Sequence, residues 1–160
     1  MKTFQLTTSS PDQTLALAGT LARVLKGGEI IFLRGPIGAG KTVFVKGVAA
    51  ALGLKSSPTS ASFSLMKAYS GKKHRLFHLD LFRLSAGELF NLGFEEMLED
   101  EQAIILAEWP DPAVQLFPQD RLEINFVLLS GDERRLEWTA CGPASARLLE
   151  RICHIVKPFC

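Results

Sequence analysis

An α/β fold, with a mostly parallel central sheet carrying added antiparallel strands and flanking helices, follows from three features of this chain. The first is the octet Gly35-Pro-Ile-Gly-Ala-Gly-Lys-Thr42. It fits G-x-x-x-x-G-K-[ST], a loop whose backbone N–H groups wrap nucleotide phosphates. The second is the apolar run from Glu29 to Arg34 just before it, rich in β-formers and suited to a parallel strand buried on both faces. The third is the recurrence of Phe44, Val48 and Leu52 at i, i+4 and i+8, with Val45 and Ala49 beside them and Gly53 placed as a C-terminal cap. Strand, glycine loop and helix in that order put a helix N-terminus under an anion. The predicted class is therefore P-loop NTPase-like.

The remaining elements follow in chain order. Lys2 to Thr8 reads as a first strand. Ser10-Pro11-Asp12-Gln13 opens a helix, with Ser as cap, Pro at the first position and Gln closing a capping box. Leu15, Ala18, Ala22 and Leu25 form its expected inward face, and Gly27-Gly28 ends it. After the phosphate loop and its helix comes a Ser/Thr-rich loop, Ser56 to Ser62. Two strands follow, Phe63 to Ser70 and His74 to Leu84, joined by Gly71-Lys72-Lys73. Glu88 to Glu99 is expected to be helical, with Leu89, Leu92 and Met97 inward. Ala103 to Ala107 is a second buried strand, Arg121 to Leu129 and Arg134 to Cys141 form a hairpin, and a last helix runs from about Ala144 to Val156.

Composition bounds the functional classes. The 160 residues suit one domain, 1–160, burying roughly two thirds of its unfolded surface. A hydrophobic content of 47% and a charged content of 22% are those of a globular chain, not a disordered one. The apolar stretches are far shorter than the ~20 residues of a membrane span, and the first residues do not read as a secretory leader. Three cysteines without a C-x-x-C pair point to reduced thiols in a cytoplasmic protein. A net charge of +1 supplies no field for nucleic acid, so RNA would have to be held largely by something else.

Within the loop, Lys41 is a point charge for the outer phosphates and the Thr42 hydroxyl a ligand for Mg²⁺. A carboxylate at a neighbouring strand end should help hold the metal or its water, and two qualify. Glu108 directly follows the apolar run 103–107, and Asp80 lies in the alternating segment His78-Leu-Asp-Leu-Phe-Arg83. His78 reads as a hydrogen-bonded strand histidine or a catalyst. Arg83 suits either phosphate charge or a surface glutamate, and Trp109 either a stacking contact or the core. Lys72-Lys73-His74-Arg75 reads as a solvated hairpin tip, with RNA phosphate contact as the alternative. The Ser/Thr loop is either a connector or a sensor of the outer phosphate.

The phosphate loop followed by Phe44, then His78-Leu-Asp-Leu-Phe-Arg-Leu84, then Glu108-Trp109-Pro110, together resemble the TsaE (YjeE) family over nearly the whole chain. These are small bacterial ATPases of the pathway that installs threonylcarbamoyladenosine (t6A) in tRNA. The resemblance implies an ATP and Mg²⁺ site and a complex with TsaD, which transfers the threonylcarbamoyl group, and its partner TsaB. tRNA would then be met through that complex. It further implies that Pro11, Ile37, Gly38, Ala39, Gly40, Lys41 and Thr42 hold the nucleotide, that Thr42 and Glu108 serve the metal with Asp80 close by, and that Ser62, Arg83 and Trp109 act in switching or partner contact. Val43 departs from the second hydroxyl common in the family. Ser60-Ala61-Ser62-Phe63 takes the place of its Ser-Pro-Thr-aromatic switch, with Ser62 in the threonine's role, although Ser57-Pro58-Thr59 matches it by letter. The competing class is a small-molecule P-loop kinase, which usually needs an Arg-bearing helical lid where this chain has the hairpin 121–141. A regulatory GTPase fits less well, for want of Asn-Lys-x-Asp and of Asp-x-x-Gly after the loop.

Overall fold

The computed structural model describes residues 1–54, 65–84 and 86–156. Its elements are β1 (Lys2–Thr8), α1 (Pro11–Ala22), β2 (Ile30–Arg34), α2 (Lys41–Ala51), β3 (Met66–Ser70), β4 (Arg75–Asp80), α3 (Ala86–Phe90), α4 (Phe94–Glu99), β5 (Ala103–Glu108), a 3-10 turn (Asp111–Leu116), β6 (Leu122–Leu128), β7 (Arg134–Ala140) and α5 (Pro143–Val156). The seven strands form one sheet in the order β1-β7-β6-β2-β5-β4-β3. Its centre, β6-β2-β5-β4, is parallel, and antiparallel strands extend it on both sides. This is the mixed sheet that the chain's patterning predicts.

Alternation along the central strands explains why they are apolar throughout. Ile31 and Leu33 of β2 face a core closed by α1, α2 and α5, while Ile30 and Phe32 face a second core with α3, α4 and the 3-10 turn. β4 obeys the same period of two: Leu76 lies in the first core and Leu79 in the second. His78 and Asp80 therefore share the face of Leu76, toward α2. Phe44 of α2 packs edge-on against Phe126 (5.7 Å between ring centres) and Trp138 (5.9 Å), anchoring the start of that helix over β6 and β7.

Several local expectations are corrected. Leu15 of α1 is 42% exposed, and the buried face is instead Thr14, Leu17, Ala18, Leu21 and Ala22. The helix expected over 88–99 is two short ones separated around Gly93, whose φ of 70° ends any continuous run. Leu89 and Met97 do point inward, whereas Leu92 is half-buried. At the hairpin tip His74 is buried and Arg75 pairs with Asp100 at 2.7 Å, so the cluster is not a uniformly solvated one. Gln13 receives the Ser9 N–H rather than that of Ser10, while Ser10 Oγ accepts from Gln13 N as a capping serine should.

The close approach of α1 and α2 rests on Gly47. A Cβ there would lie 2.5 Å from the Leu15 carbonyl oxygen and 2.7 Å from Ala18 Cβ. Gly47→Ala is thus expected to lower the stability by about 1–3 kcal/mol, the usual cost of overpacking, despite alanine's higher helix propensity. Urea unfolding measures it; an unchanged or raised midpoint would contradict this helix contact.

Candidate nucleotide site

β2 ends at Arg34 and the chain turns at Gly35, where φ is 129° and a Cβ would sit 2.5 Å from the Phe126 carbonyl oxygen. No residue with a side chain fits there. Gly38 and Gly40 also have positive φ, and Gly40 caps α2 without any side-chain hydrogen bond. The first-turn amides of an 11-residue helix consequently lack a side-chain acceptor and face the cleft as anion donors. That cleft, about 430 Å³, opens at the carboxyl ends of β2, β4 and β5, the usual place for ligands on open parallel sheets.

Lys41 lies across its floor. The side chain is almost wholly buried, and Nζ donates to the carbonyls of Gly35 (2.7 Å) and Pro36 (2.8 Å) while sitting 4.0 Å from the centre of the Trp109 ring. Burial holds its ammonium below the usual lysine range, against the pull of Glu108 and Asp80 in the other direction. The two carboxylates stand side by side because Asp80 and Glu108 are direct partners in the β4–β5 register, and both are buried. Like charges so placed repel, and the Lys41 ammonium attracts both.

The Thr42 hydroxyl donates to Glu108 Oε1 at 3.1 Å, which turns its lone pairs away from the carboxylate. His78 Nε2 reaches the same Oε1 at 2.9 Å. Asp80 Oδ1 accepts from the Phe82 backbone N–H at 3.1 Å. Trp109 has φ of 55°, uncommon for a bulky residue, and is held by its N–H bond to the Leu33 carbonyl (3.3 Å) and by the Phe82 ring at 5.0 Å.

The sequence-predicted residues largely converge here. Ile37, Gly38, Gly40, Lys41 and Thr42 line the cleft with Asp80, Glu108, Arg83 and Trp109. Ile37 is 77% exposed at the loop tip, whereas Ala39 is turned into the core. Pro11 is exposed at the start of α1, outside the cleft lining; Thr14, one turn on, lies 3.9 Å from where a Gly40 Cβ would be, so this helix start flanks the loop. Ser62 and the whole Ser56–Ser62 segment lie outside the described residues. Four lining residues, Val43, Leu65, Phe82 and Arg134, are not among the expected site residues, and the last of them is charged. Arg134, at the start of β7, donates from Nε to the Ala39 carbonyl at 3.1 Å, 95 positions away in the chain. Only the Gly131 turn and the placing of β6 beside β2 bring it there, so its signal in the sequence was the hairpin's register.

Among the described residues, no cluster of three or more His, Cys, Asp or Glu could hold a metal unaided. The donor set, one hydroxyl with two carboxylates, nevertheless suits Mg²⁺, which is usually held by one or two carboxylates and completes its shell with phosphate and water.

A glycine loop that leads into a helix N-terminus, a buried lysine on its floor and an acid pair at the adjoining strand ends define a nucleotide-binding P-loop protein. The family model described as threonylcarbamoyl adenosine biosynthesis protein TsaE matches residues 8–136, and this chain belongs to that family. The tRNA threonylcarbamoyladenosine biosynthesis protein TsaE of Bacillus subtilis is 34% identical over 152 residues, 95% of each chain. That of Borreliella burgdorferi is 42% identical over 111 residues, 69% of this chain and 80% of its own. The crystal structure of Bacillus subtilis YdiB superposes with a TM-score of 0.80 at 32% identity, covering 96% of this chain and 95% of that one. Among the described residues no helix is long and apolar enough to cross a membrane.

Proposed function

We propose that this protein is a cytoplasmic, Mg²⁺-dependent ATPase that drives the cycle of a t6A-forming complex containing TsaD and TsaB. The observation that carries the proposal is the meeting of Thr42 and Glu108 at 3.1 Å beside the buried Lys41. With its hydroxyl proton given to Glu108, Thr42 offers lone pairs toward the cleft. Thr42 and Glu108 would hold Mg²⁺, with Asp80 beside them, and the ion would neutralise charge on the outer phosphate oxygens. Lys41 exchanges its carbonyl contacts for phosphate oxygens, and the amides of Gly38 to Thr42 surround them. Pro11 flanks the nucleotide from the start of α1, and Glu108 or Asp80 orders the attacking water.

Slow turnover in isolation belongs to this reading. Of the arginines at the cleft, Arg83 is exposed at the rim, and Arg134 is engaged with the carbonyls of Ala39 and Asp132. A charge completed by a partner is a common device in phosphoryl transfer. Trp109 and Ser62 would answer to that partner, and the net charge of +1 fits tRNA being held by the assembly. The test is steady-state phosphate release by the protein alone, with TsaD and TsaB added, and with Ser62→Ala in the same mixture. Acceleration by the partners that Ser62→Ala reduces is expected. Fast turnover alone, or release that requires an acceptor metabolite, would replace the reading with a small-molecule kinase.

A further inference from the structure

His78 stands outside the roles assigned so far, yet it is the fully buried member of the acid cluster. Its ring is 0% exposed, and Nε2 lies 2.9 Å from Glu108 Oε1, the oxygen that also accepts the Thr42 hydroxyl. Its other nitrogen, Nδ1, is buried with no hydrogen-bond partner among the described residues. A bare Nδ1 there is an acceptor left unused. An N–H there would be a buried donor without a partner, which is the costlier arrangement. A proton on Nε2, donated to Glu108 Oε1, is therefore the arrangement that the hydrogen-bond geometry favours.

We infer that His78 is a positioning residue. It clamps Oε1 of Glu108 from behind, so that Oε1 meets Thr42 and Oε2 is presented to the metal side of the cleft. The inference rests on the ATPase reading above and deepens it. The geometry follows from the sheet: His78 is two residues before Asp80, which pairs with Glu108, so the imidazole reaches diagonally across the β4–β5 ladder on the same face. A glutamate at a strand end has three rotatable bonds. Two hydrogen bonds on one oxygen leave it a single orientation, with no further order required when Mg²⁺–ATP enters. A plain core histidine would make contacts with its neighbours but would not aim its donor at a carboxylate lining the cleft.

Two variants and one spectrum test this. In His78→Leu the ring volume is roughly kept and the donor is lost. In His78→Gln the side-chain amide N–H falls near the position of Nε2. His78→Leu is expected to lower turnover at saturating ATP by about 10- to 100-fold, the usual effect of removing such a supporting bond. Calorimetry should show its ATP affinity weakened in Mg²⁺ and unchanged in chelator. His78→Gln should recover most of the lost turnover. The protein has three histidines, which keeps imidazole ¹⁵N–¹H spectra simple. His78 should show a protonated Nε2 whose resonance moves in Glu108→Gln. Equal impairment of the Gln and Leu variants, wild-type turnover in His78→Leu, or a proton found on Nδ1 would each overturn the inference while leaving the ATPase reading intact. A wild-type protein that never hydrolyses ATP would overturn both. If His78→Leu does not fold, the spectrum and His78→Gln decide.

Discussion

Lys41→Ala is expected to weaken ATP binding roughly 10- to 100-fold while leaving the chain folded. A charge-assisted hydrogen bond contributes about 1.5–3 kcal/mol, which converts to that range of affinity. The folded state should survive because the loop's path is set by Gly35 against β6 and by the anchoring of Phe44, not by the lysine. In the free protein Nζ is held by the Gly35 and Pro36 carbonyls, and burial disfavours its charged form, so the ammonium is poised to move onto phosphate. Lys41→Arg should not restore binding. The space between two carbonyls and the Trp109 face accepts a compact ammonium, and the planar guanidinium is wider and differently directed. Calorimetry against ATP, with thermal melts to verify folding, measures this. Wild-type affinity in Lys41→Ala would remove the phosphate-loop assignment.

Glu108→Gln is expected to slow single-turnover hydrolysis by about 10²–10³-fold, the range seen when one group serving a developing charge is removed, with ATP affinity changed only a few-fold. Glutamine can still accept from Thr42 and His78, so the geometry persists and the negative charge alone is lost. The variant's stability should change little, because relief of the repulsion from the directly opposed Asp80 is offset by the lost attraction to the Lys41 ammonium. Asp80→Asn should act in the same direction but less strongly, since Oδ1 is already committed to the Phe82 N–H. Rapid-quench measurements on both variants separate the roles. Hydrolysis at the wild-type rate in both would mean that neither carboxylate serves the metal or the water, and a defect in Glu108→Gln alone would single out the strand-end acid.

Much of the architecture is legible in the sequence. The buried strand before Gly35, the helix after it, the hairpin 121–141 and the last helix all occur within a few residues of their expected limits. Periodicity and turn chemistry are local, and these segments obey both. The errors arose where local pattern was insufficient. Leu15 fits an apolar helical face as well as Leu17 does, but only the direction from which α2 approaches decides which is covered. The 88–99 segment has helical periodicity throughout, yet Gly93 breaks it and lets Phe94 and Met97 reach a separate core.

The sequence by itself determined the chemistry of the site: a glycine loop with its lysine and threonine, two acids at strand ends, and a tryptophan after one of them. Those residues are recognisable because each local motif must satisfy its own backbone and charge requirements wherever the chain places it. Their joining into one site was decided by tertiary structure alone. The β4–β5 register sets Asp80 against Glu108 and brings His78 to the same carboxylate, and the order β7-β6-β2 carries Arg134 to the phosphate loop. Such pairings depend on which strands lie side by side and on a shift of one residue between them. A change of one position would send every side chain to the opposite face, and no short-range pattern encodes that choice.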